Sequence, residues 1–153
     1  MKHTLADRKA QYDLSVKLYG MLDNMTSVVE KMNGVRGSID SRAASVAAAD
    51  SLARRLRDAS DTVDVMRKKI VATKEGGMVT GEERLRENLT QLYSSVVFFE
   101  GRPSATQVER AAAIERELGD VSKDFDRWIA RDLPALNALL VARKLPRIEP
   151  VVP

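Results

Sequence analysis

Apolar residues recur along this chain at alternating steps of four and three. Leu14, Leu18, Met21, Met25, Val28, Met32, Val35 and Ile39 form a first stripe. Leu52, Leu56, Ala59, Val63, Met66 and Ile70 form a second; Leu85, Leu89, Leu92, Val96 and Phe99 a third; Ala111, Ile114, Leu118, Val121, Phe125 and Trp128 a fourth. That spacing gathers side chains on one face of an α-helix. A stripe stabilises nothing until it is buried, and antiparallel neighbours joined by short turns cost least in loop entropy. The expected fold is all-α: an antiparallel up-and-down four-helix bundle in a single domain, with helices near 5–42, 50–74, 81–100 and 105–131.

The punctuation between stripes supports these limits. In "KEGGMVTGEE" Gly76 and Gly77 stop a helix, and Thr80 with Glu83 three residues on makes a capping box. In "EGRPSATQ" Gly101 ends the third helix, Pro103 blocks its continuation, and Ser104 with Gln107 forms a second box. The first junction offers a stop at Asn33-Gly34 and a later one at 43–49. Val35 and Ile39 hold the stripe in phase past both glycines, so Gly34 and Gly37 are read as lying inside helix one, at about 1 kcal/mol each.

"DLPALNALL" interrupts a helical pattern with proline. Pro134 has no backbone donor and its ring would strike the carbonyl of Ala130, so the fourth helix is expected to end near 130–132. Asp132 then caps a short fifth helix, 132–143, with Leu133, Leu136 and Leu140 on one face and Asn137 beside them. This segment is read as a structural lid over the open end of the bundle. The prolines of "KLPRIEPVVP" favour an extended tail over 144–153.

Composition narrows the chemistry. Of 153 residues 44% are hydrophobic and 31% charged, with 5% aromatic and 8 glycines, a mixture that suits helices. There is no cysteine and one histidine, His3, expected in a frayed terminus. Histidine-containing metal sites of helix bundles and histidine-activated nucleophiles are therefore excluded. Glu117, Asp120 and Asp124 share a helix face, where Lys123 and Arg127 are the expected partners. Phe98, Phe99, Phe125 and Trp128 are read as core. No cofactor and no metal is expected. No stretch approaches the ~20 apolar residues of a membrane span, so no membrane insertion is expected. The net charge is +3. The basic residues Arg54, Arg55, Arg57, Arg67, Lys68 and Lys69 alternate with acids, suggesting the pairs Arg57–Asp61 and Asp64–Lys68 and a solvated face, not a nucleic-acid surface.

Beyond the main stripe of helix one, Tyr12, Tyr19, Leu22 and Val29 widen the apolar face past what one bundle interior requires. They are the candidate interaction residues, and a two-fold homodimer is one solution. A four-helix core could equally absorb so broad a stripe. Two other classes remain open: a small ligand-binding or enzymatic bundle, which needs a pocket with convergent polar groups, and a basic nucleic-acid-binding helical protein.

From Arg84 to Pro146 the chain resembles the C-terminal helical region of bacterial sortilin-like, BNR-repeat (Asp-box) β-propeller proteins. The resemblance rests on Leu92-Tyr93, Pro103 and Gln107, Trp128, "DLPALN" at 132–137, and Leu145-Pro146. Lys144 stands where the family pattern has glycine. The resemblance implies a non-enzymatic accessory bundle whose partner is the remainder of a parent β-propeller polypeptide, in an exported, periplasmic or envelope-associated protein. No Asp-box motif occurs in the chain itself.

Overall fold

The structure, a computed structural model, describes residues 2–73 and 82–150. It is an all-α helical bundle of four helices: α1, Leu5–Ala44; α2, Ser51–Ile70; α3, Leu85–Val97; and α4, Ala105–Ala142. No strand occurs among the described residues, and no helix there is long and apolar enough to cross a membrane. The glycines at 76 and 77 and the expected cap at Thr80 lie outside the described residues.

Helix starts follow their side-chain caps. Thr4 opens α1: the Asp7 N–H donates to its Oγ1, and its own N–H and hydroxyl donate to the Asp7 carboxylate. Those bonds hold the Asp7 carboxyl below its usual range. The expected box at α4 is present, with Ser104 N–H on Gln107 Oε1 at 2.9 Å and Gln107 N–H on Ser104 Oγ at 3.2 Å. For α2 the cap is Asp50, which accepts from the Leu52 N–H. As expected, α1 continues through Gly34 and Gly37.

The helices pack as two compact units. Unit 1 comprises Met1–Thr26 and Lys69–Asp120; unit 2 comprises Ser27–Lys68 and Val121–Pro153. In unit 1, α3 lies antiparallel to the first part of α1 and to the first part of α4. Gln11 meets Val96, Tyr19 meets Tyr93, and Asn88 bonds Arg110 across the α3–α4 face. Its core holds Leu18, Met21, Met25, Leu89, Leu92, Val96, Ile114 and Leu118. In unit 2, α2 lies beside the second part of α1 and the second part of α4, around Met32, Val35, Ile39, Leu56, Val63, Phe125 and Trp128. Its open groove pairs Arg55 with Leu139 at one end and Thr62 with Trp128 at the other, an antiparallel register of α2 and α4.

The separate fifth helix does not form: α4 runs without interruption to Ala142, with Pro134 inside it. A proline inside a helix costs ~3 kcal/mol, whereas burying a leucine side chain returns roughly 1.5–3 kcal/mol. Leu133, Leu136 and Leu140 are all buried, and both Pro134 and Ala130 face solvent, where the freed carbonyl can be hydrated. Asp132 is therefore not a cap but an exposed residue within the helix.

What covers this end of unit 2 is the tail. Helix α4 closes with Leu145 N–H on Leu140 C=O and Lys144 N–H on Val141 C=O, a Schellman arrangement with Lys144 left-handed at φ 58°. The chain then folds back. Ile148 is fully buried, its N–H donating to Asn137 Oδ1 at 2.7 Å and its C=O accepting from Asn137 Nδ2 at 3.0 Å. Arg42 holds the carbonyls of Pro146 and Arg147. Over the described residues 145–150 the tail has no regular secondary structure and is pinned by these bonds.

Candidate functional site

The third stripe ends earlier than expected, and that opens a surface. Helix α3 stops at Val97, so Phe99 leaves the stripe, 61% exposed, beside Phe98 at 86%. The expectation that both are core is corrected. The reason is a tertiary contact: Gln11 of α1 donates its amide to Val96 O at 2.9 Å and to Phe99 O, satisfying carbonyls at and beyond the helix end. The turn that follows needs Gly101, whose φ is +141° and whose absent Cβ would lie 2.8 Å from the His3 ring. His3 thus packs against this turn.

Between α1 and α3 in unit 1 lies an open groove of about 420 Å³, lined by Tyr12, Val16, Tyr19, Tyr93 and Val97 with Arg8, Gln11 and Ser15 at its margins. Tyr12 and Tyr19 are about two-thirds exposed, and Val16 is half exposed. The rings of Tyr19 and Tyr93 stand 6.5 Å apart and tilted by 49°. Of the four candidate interaction residues the groove contains Tyr12 and Tyr19. Leu22 and Val29 are half-buried and do not line it. Sequence reading misses Val16, although it lies four residues after Tyr12 and three before Tyr19 and so continues their face. Tyr93 and Val97 carry no signal in the sequence, because their pairing with α1 is a tertiary fact.

The lid residues are distributed differently. Leu133, Leu136, Asn137 and Leu140 are buried in unit 2; Asp132 and Pro134 are exposed. A shallow groove of about 360 Å³ between α2 and α4 is lined by Arg55, Asp58, Thr62, Trp128, Asp132 and Leu136. Phe125 and Trp128 are core, stacked at 6.4 Å.

Some charged groups in unit 2 pair among themselves. Asp64 binds Arg36, Arg67 and Lys68 at 3.0, 2.8 and 2.8 Å. Partial burial pushes its carboxyl up, but bonds from Lys68 and Arg67 and the charge of Arg36 outweigh that and hold it below the usual range. Arg57 reaches Ala48 O and not the expected Asp61. Arg143 grips Asp50 with two bonds, and Arg143 followed by the Leu52 N–H lowers the Asp50 carboxyl. Asp124 pairs with Arg127. Among the described residues no three carboxylate or histidine side chains are grouped to hold a metal ion. Comparison with protein-family models, curated proteins and solved structures finds no match for this chain.

Proposed function

We propose that this protein is a helical interaction module without catalytic chemistry of its own, meeting its partner through the tyrosine groove of unit 1. The observation that carries the reading is that four large apolar side chains exposed on unit 1, Tyr12, Val16, Tyr19 and Val97, line one groove together with half-buried Tyr93, while Leu5, Phe98, Phe99 and Val108 are exposed outside it. Tyrosine suits such a surface, since its ring supplies contact area while its hydroxyl tolerates water when the partner is absent. The resemblance to the helical region of sortilin-like BNR proteins supports the same class of role. The resemblance also implies a covalent neighbour, the rest of a β-propeller polypeptide of an exported or envelope-associated protein; it does not place that neighbour in the groove, and an upstream propeller in the same reading frame would test it.

A photoreactive side chain at Val16, compared with one at exposed Arg116, tests the reading in cells. The expected result is an adduct from Val16 only, lost when Tyr12→Ser and Tyr19→Ser are combined while the melting temperature stays within a few degrees. Equal adducts from both positions, or none from either, would sink it.

A further inference from the structure

We infer that the partner this groove fits is a second copy of the same chain, paired antiparallel through α1 about a two-fold axis near Val16. The inference rests on the groove being a docking surface and adds what docks there.

The exposed apolar residues of α1 in unit 1 are Leu5, Tyr12, Val16 and Tyr19, at steps of seven, four and three, all on one side of the helix. A charge stands on each side of its central part, Tyr12 to Tyr19: Arg8, between Leu5 and Tyr12, and Asp23, four residues after Tyr19, both exposed. Among the described residues neither side chain has a hydrogen-bonding or ionic partner. Arg8 precedes Val16 by eight residues and Asp23 follows it by seven. At 1.5 Å per residue these are ~12 Å and ~10.5 Å from the middle. An antiparallel copy centred at Val16 therefore brings Arg8 of each chain to Asp23 of the other, twice by symmetry. A parallel copy would set each charge against its own kind.

The middle of the stripe has the matching shape. Gly20 sits four residues after Val16, as far from the centre as Tyr12 on the other side. It is exposed, and a Cβ there would meet nothing within 4 Å. Glycine inside a helix costs about 1 kcal/mol relative to alanine, and nothing in this chain uses the space it leaves. In the antiparallel pairing the second copy's Tyr12 ring lies across from Gly20, beside Tyr19. The missing side chain is room for that ring.

Sedimentation velocity across a concentration series, on the purified full chain, tests this. The wild type should dimerise. R8D alone and D23R alone should each dimerise roughly ten-fold more weakly, and mixing the two variants should restore a heterodimer of near wild-type strength, because every facing pair is again opposite in sign. Gly20→Leu should keep or raise thermal stability, being a better helix former, and abolish the dimer. A wild type that stays monomeric at every concentration, a mixture no stronger than R8D alone, or a Gly20→Leu variant that dimerises normally overturns the inference. If the wild type is monomeric yet Val16 still gives a cellular adduct with another protein, only the second copy falls. If the adduct is missing as well, the docking role of the groove falls with it.

Discussion

Unit 2 covers part of its helices with a non-helical stretch of its own chain, 145–150, whereas unit 1 leaves the groove between α1 and α3 open. In unit 2 the side chain of Ile148 fills an apolar site while Asn137 and Arg42 satisfy the backbone that brings it there. In unit 1 the short segment ahead of α1 stops at the turn, with Thr4 capping the helix and His3 against Gly101, and Tyr12, Val16 and Tyr19 beyond it remain in water. Each unit thus meets an apolar surface wider than its helix interfaces need, and they differ in who supplies the cover. An apolar side covered from within the chain serves stability; one left open has its consequence in binding.

The sharpest way to break that contrast is to truncate one residue on each side. Ile148→Ala is expected to cost about 2–4 kcal/mol, as a fully buried aliphatic side chain does. Tyr12→Ala and Tyr19→Ala are expected to stay within about 0.5 kcal/mol, read by urea denaturation. Equal losses would show that the groove tyrosines serve the fold. Next in size is Asn137→Ala, which strips both partners from the buried Ile148 backbone and is expected to cost about 1–3 kcal/mol. Hydrogen exchange at the Ile148 amide should rise with it. Lys144→Gly should do the opposite. It relieves a left-handed conformation that costs an L-residue roughly 1–2 kcal/mol, so a gain approaching 1 kcal/mol is expected after the glycine's added freedom in the unfolded chain is counted. A loss would mean that the lysine side chain contributes to the turn.

The smallest expected effect is in pH. Because the folded Asp50 carboxyl is lowered by Arg143 and the Leu52 N–H, its contribution is complete above the ordinary aspartate value of about 3.9 and fades as pH falls through the lower folded value. Asp50→Asn should flatten that acid limb of the stability profile, with little change in the cap itself, since asparagine also accepts at an N-cap. An unchanged acid limb would assign the pH dependence to other carboxylates, such as Asp64 and Asp7.

Much of the helical order is legible in the sequence because burial and periodicity agree. The residues of the first two stripes from Leu18 to Ile70 are buried almost without exception, and the box at Ser104 and Gln107 is where its spacing puts it. The box at Thr4 and Asp7 carries the same signal, three residues apart ahead of a stripe, and is overlooked when His3 and its neighbours are taken for a frayed terminus. Two other readings fail where a local rule meets a tertiary gain. Pro134 reads as a break on backbone grounds, but three buried leucines around it hold the helix together. Phe99 fits the stripe, yet Gln11, some ninety positions earlier, terminates α3 before it. The groove is half legible for a related reason: one wall is a face of α1, visible as spacing, while the other is α3, brought there by folding.

The pinned tail also bears on the order in which unit 2 can be assembled. Arg36 and Asp64 meet across 28 residues of chain, counted from their numbers, whereas Arg42 holds the Pro146 carbonyl at a separation of 104. That is nearly two doublings of loop length, at ~0.6 kcal/mol of closure entropy each, and the distant tail cannot dock before α4 is in place. Its contacts are therefore expected to form late in folding. Removing them by Ile148→Ala should leave the refolding rate nearly unchanged and appear as faster unfolding, so that the tail governs how long the folded unit lasts more than how quickly it is made.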